Sequence, residues 1–329
     1  MKKSELFRTS ITFSLILSIF TINSCKEVKK ENADTLEASE MESETSEPFF
    51  DLSLAQWSIH KMIRNDDVVP YTFAEKAKGW GFTGLEYVSQ LYPADLENNE
   101  YSDEAINAFV EKSNAEAKKY GMRNVLIMID RQGDLAVSDA AERKAAVERH
   151  FKWVDAAAKM GCHSIRVNLA GSDVPEEWMA NSIDGLTQLA TYAKDKNINI
   201  IVENHGGFSS NGAMLAEVMT KVDMDNCGTL PDFGNFCIKR SETGCAQEYD
   251  KYKGVKELMV HAKAVSAKAH DFDEKGNETE IDYARILQIV KDAGYSGFIG
   301  VEYEGNVLSE EEGIIATRDL LINAAKKIK

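Results

Sequence analysis

The chain has 329 residues, 43% of them apolar and 28% charged, the composition of a globular protein long enough to bury a large core. Its formal net charge of −16 repels nucleic-acid backbones and anionic membrane surfaces and argues against either as a direct partner. The five cysteines (Cys25, Cys162, Cys227, Cys237 and Cys245) contain no CxxC pair, so neither a zinc ribbon nor a thioredoxin-type site is supported.

At the N-terminus, Lys2, Lys3 and Arg8 precede a short apolar run over 11–20, followed by Ile22, Asn23, Ser24 and Cys25. A basic start, a brief apolar core and small residues predict a secretory signal, and the run is too short for a permanent membrane span. Residues 22–25 resemble a bacterial lipobox, which implies cleavage before Cys25 and acylation of its sulfur; an ordinary cleaved signal with an incidental cysteine is the alternative. Glu27, Glu31, Asp34, Glu37, Glu40, Glu42, Glu44 and Glu47 then make an acidic polar stretch that reads as a disordered tether. The expected organisation is a signal peptide over 1–24, a lipidated tether over 25–49 and a catalytic domain over 50–329. The expected location is the bacterial cell envelope, periplasmic or surface-facing, held to the membrane by lipid alone.

From residue 50 onward strand and helix patterns alternate. Strands are expected over 52–57, 82–88, 122–128, 164–169, 198–203, 227–232, 258–262 and 298–303. Helices are expected over 72–80, 103–120, 139–160, 176–196, 213–222, 282–293 and 310–328. Eight βα units imply an α/β fold, a (β/α)₈ TIM barrel whose strand ends build the active site at one mouth. An open doubly wound sheet would require a glycine-rich phosphate loop after an early strand, and none is present. Cys237 and Cys245 are close enough in sequence to bridge in an oxidising compartment; buried free thiols are the equal alternative.

Four apolar runs end on a side chain able to hold a metal: Glu203, Asp232, His261 and Glu302. A carboxylate at the end of an apolar strand needs a cation or a raised pKa. Three carboxylates and one imidazole suit one divalent ion, Mn²⁺ first, with Mg²⁺, Co²⁺ or Zn²⁺ as alternatives. Such an ion would polarise a carbonyl while a glutamate on either side moves the neighbouring proton. A salt-bridged mouth without metal is the competing reading, disfavoured because no arginine or lysine in these motifs matches each acid.

These motifs, ENH at 203–205, DFGN at 232–235, VHAK at 260–263 and GVEYEG at 300–305, resemble the sugar phosphate isomerase/epimerase family, of xylose-isomerase-like TIM-barrel fold. The resemblance implies that Glu203 and Glu302 act as acid and base as well as ligands, with Asp232 and His261 completing the metal site. Some family epimerases carry a histidine where this chain has Asn235. Further candidates for substrate contact are His60, Glu86, Asn168, His205, Asn235 and Lys263. For three of them a structural reading stands beside the functional one: a solvated loop for His60, a structural hydrogen bond for His205 and a buried ion pair for Lys263; Glu86, at the rim, would bond a sugar hydroxyl or orient a neighbour. The loop after the seventh strand, with His270 and Asp271, is expected to cover the pocket.

The expected export and the lack of an arginine cluster at the strand ends argue for a non-phosphorylated substrate. The expected activity is metal-dependent isomerisation or epimerisation of a keto-sugar. A 3-keto-glycoside lyase or hydratase sharing the first step, and a non-catalytic sugar-binding lipoprotein, are the alternatives. An endonuclease acting at abasic sites would need a basic face that this composition lacks.

Overall fold

The computed structural model describes residues 48–328. The signal peptide, Cys25 and the tether up to residue 47 lie outside the described residues, and among the described residues no helix is long and apolar enough to cross a membrane.

The chain runs through β1 (Asp51–Ala55), α1 (His60–Asn65), α2 (Phe73–Gly79), β2 (Gly84–Val88), α3 (Asp103–Tyr120), β3 (Arg123–Met128), α4 (Ala140–Met160), β4 (Ser164–Val167), α5 (Pro175–Lys194) and β5 (Asn199–Glu203). It continues through α6 (Gly212–Val222), β6 (Cys227–Leu230), β7 (Cys237–Ser241), β8 (Gly244–Glu248), α7 (Lys251–Leu258), β9 (Val265–Ala269), α8 (Tyr283–Asp292), β10 (Phe298–Tyr303) and α9 (Glu310–Ala325). Eight strands form one parallel sheet in the order β6-β5-β4-β3-β2-β1-β10-β9. Its ends meet through parallel bridges between Thr229 and Ala262 and between Asp232 and Ser266, which bring β6 beside β9. The eight barrel strands are therefore β1 to β6, β9 and β10.

Helix boundaries follow local chemistry. Asp139 accepts from the backbone N–H groups of Ala141 and Glu142 at the start of α4, and Ser309 and Glu312 form a reciprocal cap on α9. Outward-facing strand residues such as Val265, Ala267, Ile299 and Val301 are buried with Trp153, Leu186, Leu215, Ile286 and Leu321 from the helices. Hydrophobic burial thus binds the helical layer to the strands and leaves their inward faces free for other residues.

The seventh strand differs from expectation. Residues 258–262 end α7 and form a 3-10 turn, Met259–His261, while the strand is Val265–Ala269. Asp250 caps α7 by accepting from Lys253 N–H, and Gly254, Val255 and Leu258 present its buried face. The short apolar run Leu258, Met259, Val260 fits the last turn of a helix as well as it fits a strand, and Val260 is 78% exposed. Helices α1 and α7 and the hairpin β7–β8 were not foreseen. The hairpin is antiparallel and is closed by a Cys237–Cys245 disulfide, which decides between the two alternatives for those residues; Cys162 and Cys227 are free and buried.

Candidate active site

Alternation along the strands decides what faces the barrel interior. On β9, Ser266 and Lys268 point inward; on β10, Glu302 does so, two residues beyond Gly300. Glu203 closes β5 and Asp232 lies two residues past β6. Ligand atoms of Glu203, Asp232 and Glu302 all lie within 4.8 Å of one another, and all three residues are buried.

Each acid is held in place. Glu203 Oε1 accepts from Asn235 Nδ2 at 2.9 Å, and Glu203 Oε2 is 3.1 Å from Arg166 Nε. Asp232 Oδ1 accepts from the backbone N–H groups of Gly234 and Asn235, both at 2.8 Å, and Asp232 Oδ2 accepts from Ser266 Oγ at 2.6 Å. Asn204, on the opposite side of its strand from Glu203, pins the Asp232 turn by accepting from Asp232 N–H at 2.8 Å and donating to the carbonyls of Asp232 and Asn235. Lys268 Nζ donates to Glu302 Oε1 at 2.8 Å and to Glu304 at 2.5 Å, and lies 3.8 Å from Asp232 Oδ2. Arg166 also contacts Asp130 at 3.2 Å and Asn168 at 3.0 Å.

Two cations, Arg166 and Lys268, thus face five carboxylates: Asp130, Glu203, Asp232, Glu302 and Glu304. Burial raises the pKa of Asp232 and Glu302 above the ordinary carboxylate range, a rise that Lys268 opposes but does not cancel. Glu304 goes the other way: the cost of its burial is outweighed by Lys268, and its pKa falls to about 2. Desolvation acts to lower Lys268, but Glu302, Asp232 and Glu304 together hold it well above its usual value. Negative charge left over after both internal cations, on oxygens that converge within a few ångströms, is what a hard divalent cation would neutralise. The donor set therefore fits a divalent ion bound by Glu203, Asp232 and Glu302.

His261 is not part of that set. It sits on the 3-10 turn before β9, where its Nε2 lies 3.3 Å from Thr220 Oγ1 on α6. Its carbonyl packs against Gly228 near the start of β6, the end of the strand away from Asp232. The strand meant to carry it begins four residues later, so the histidine is left at the wrong end of the barrel. Lys263 shares the displacement, its side chain packing over Gly228 and its N–H bonding to the Thr229 carbonyl. The lysine that reaches the acids is Lys268.

The remaining candidates divide. Asn235 and Asn168 join the network directly, Asn168 donating to Asp130 at 2.9 Å. His205 is exposed on the loop after β5, close enough to Asp130 to help hold that carboxyl low, although Asp130's own burial is the largest influence and Arg166 the main counterweight. His60 opens α1 and stacks on Trp57 with ring centroids 4.5 Å apart, its Nδ1 lying 2.7 Å from the Trp57 carbonyl and 3.3 Å from Glu310, so it is a half-buried helix residue and not part of a solvated loop. Glu86 is buried inside the barrel, accepting from Ser53 Oγ at 2.6 Å, while its Oε2 has no hydrogen-bond partner. Desolvation raises its pKa to about 7. A Cβ on Gly300 would lie 2.4 Å from the Glu86 carboxylate, so only glycine leaves room for it. The loop after β9 folds on Glu278, which accepts from His270 N–H, and His270 and Asp271 do not line the cleft described below.

Arg166, Ser266, Lys268 and Glu304 were missed from sequence. The signal was present in the alternation of Val265, Ser266, Ala267, Lys268 and Ala269, small apolar residues outward and polar ones inward, and in Arg166 at the centre of an apolar strand.

A parallel eight-stranded α/β barrel with acids converging at the strand ends defines the class of protein: one whose site is built on the C-terminal mouth of a TIM barrel. Residues 74–324 match the family described as xylose isomerase-like TIM barrel, and the chain belongs to it. No curated protein matches this chain. Among solved structures it is similar to a D-tagatose 3-epimerase-like protein, with a TM-score of 0.63 and 18% identity over 85% of this chain and 98% of that one. It is also similar to the IOLI protein with a bound zinc atom, with a TM-score of 0.62 and 14% identity over 85% and 99%. A D-psicose 3-epimerase determined in the presence of D-fructose has a TM-score of 0.58 and 17% identity over 84% and 96%. At these identities the likeness establishes the fold.

Proposed function

We propose that the protein is a divalent-metal-dependent sugar isomerase or epimerase that removes a proton next to the carbonyl of a non-phosphorylated keto-sugar. The observation that carries this reading is the convergence of Glu203, Asp232 and Glu302 within 4.8 Å at the barrel mouth. Those three carboxylates would hold the ion, which when bound supplies Lewis-acid polarisation of a substrate carbonyl. With His261 elsewhere the set is all oxygen, which favours Mg²⁺ or Mn²⁺ over Zn²⁺.

Glu203 and Glu302 stand on β5 and β10 and serve as the acid and base on either side of the substrate. Burial is the first cause of the raised pKa of Glu302 and favours its proton-carrying form. Lys268, touching Glu302 and Glu304, offers a fixed positive charge where an oxygen of the substrate gains negative charge. Asn235 and Asn168 orient Glu203 and Arg166. The export expected from the N-terminus supports a neutral substrate in the cell envelope, with the chain held there by lipid on Cys25.

A second reading, a 3-keto-glycoside lyase, shares the first step and is favoured by the roomy cleft that the loops after β4 and β5 form at the strand-end face. There the base takes the proton beside the carbonyl, the C–O bond at the β-carbon breaks, and the departing oxygen takes a proton from the acid. Incubation of the Mn²⁺-loaded protein with keto-hexoses and 3-keto-glycosides in D₂O separates the readings. Deuterium at the carbon beside the carbonyl is expected from either, and release of the aglycone selects the lyase. No exchange with any of these compounds would leave a sugar-binding lipoprotein as the better account.

A further inference from the structure

A cleft of ≈ 840 Å³ opens at the strand-end face of the barrel, walled by the loop after β4, by Gly206 and Gly207 after β5, and by the disulfide-closed hairpin β7–β8. Asn168 and His205 line it, and Asn168 leads through Arg166 to Glu203. Glu203, Asp232 and Glu302 lie behind this lining, reached from it through Asn168 and Arg166.

Its lining is two-sided. Leu169 and Trp178 are buried beneath it, with the Phe208 ring 5.8 Å from that of Trp178. Ser172 and Asp173 stand on one rim, and Lys239 and Gln247 on the hairpin opposite. A pyranose has the matching make-up, an apolar C–H face and a hydroxyl edge. Asp134 and Asp173 against a single Lys239, with no arginine, do not suit a phosphate or carboxylate. Gly206 and Gly207, at φ +92° and +60°, have nothing within 4 Å of where a Cβ would stand, so the wall they form is open to a ligand. The volume lies high in the range of about 300–1,000 Å³ that encloses drug-sized ligands, more than one hexose fills.

We propose that this cleft is a subsite for a second sugar ring, so that the substrate is a glycoside of at least two units. The carbonyl-bearing ring lies at the acids and its neighbour lies between the hairpin and the loop after β4. Which ring reacts rests on the function proposed above; the binding of two rings does not.

Calorimetry on Glu302→Gln, in which turnover is silenced, compares glucose with cellobiose, maltose and trehalose. At least one disaccharide is expected to bind about 10-fold or more tightly than glucose, the equivalent of ~1.4 kcal/mol. Lys239→Ala combined with Gln247→Ala should remove that gain, as should Ser172→Trp, which fills the cleft from the other wall. Equal affinity for glucose and all three disaccharides, or a gain that survives both sets of substitutions, overturns the subsite. Disaccharide binding that behaves as expected in a protein with no deuterium exchange would overturn the chemistry and support the subsite. Exchange on keto-hexoses without any disaccharide gain would do the reverse.

Discussion

Lys268 reaches three acids from one strand position, and its ammonium is the positive charge nearest to Glu302. Lys268→Met leaves Glu302 and Glu304 facing each other without it, and loss of one partner from a buried ion network costs about 3–5 kcal/mol. Urea unfolding should record that loss, and saturating Mn²⁺ should restore part of it, because an ion bound only by the folded state stabilises it by mass action. His261→Ala should leave deuterium exchange within about 2-fold of the parent, since a residue outside the site removes no transition-state contact. Glu86 gives the pH test. Its pKa rises from 4.5 to about 7 on folding, so the folded state holds the proton more tightly. Stability from this group is full below pH 4.5 and is lost as pH climbs to 7, on the order of 3 kcal/mol at ~1.4 kcal/mol per pH unit. Glu86→Gln should show a smaller fall over that window in urea midpoints, the part that Asp232 and Glu302 contribute remaining, and a parent whose midpoint rises with pH relative to the Gln variant would refute the assignment. Glu203, Asp232 and Glu302 were legible in the sequence because an ionised acid closing a buried apolar strand is costly unless a cation meets it. Arg166 and Lys268 were not, since a cation within a strand reads as easily as an exposed edge residue until the inward face is known.

Short elements carry most of what differs from expectation. The true seventh strand is only five residues, Val265–Ala269, and lacks the bulky apolar run that marks β5 or β3, so the helix end before it took its place. A single displaced strand moved a histidine and a lysine from the mouth to the far end. The hairpin was hidden differently: Cys237–Ser241 and Gly244–Glu248 are largely exposed and polar, and no burial pattern marks them. Their disulfide spans eight positions, and closing so short a loop contributes about 2–3 kcal/mol to the segment it constrains. Cys237→Ser with Cys245→Ser should therefore speed amide exchange within 237–248 while changing the global melting temperature little. Equal protection of those amides in parent and variant would show that the disulfide does not order the hairpin.

At the scale of the molecule the βα alternation was readable almost throughout, because parallel strands buried on both sides need long apolar runs and the helices between them carry clear caps. The barrel in turn explains why acids far apart in the chain meet: inward-facing ends of β5, β6 and β10 open onto one mouth. That convergence is the central claim, and titration of Mn²⁺ into the parent and four variants, followed by calorimetry, tests it most directly. One ion per chain is expected, with affinity falling about 100-fold or more in Glu203→Gln, Asp232→Asn and Glu302→Gln, a larger loss than the roughly 10–100-fold seen when an outer partner of a metal ligand is removed, and unchanged in His261→Ala. Absence of binding in the parent, or a loss confined to His261→Ala, would contradict it.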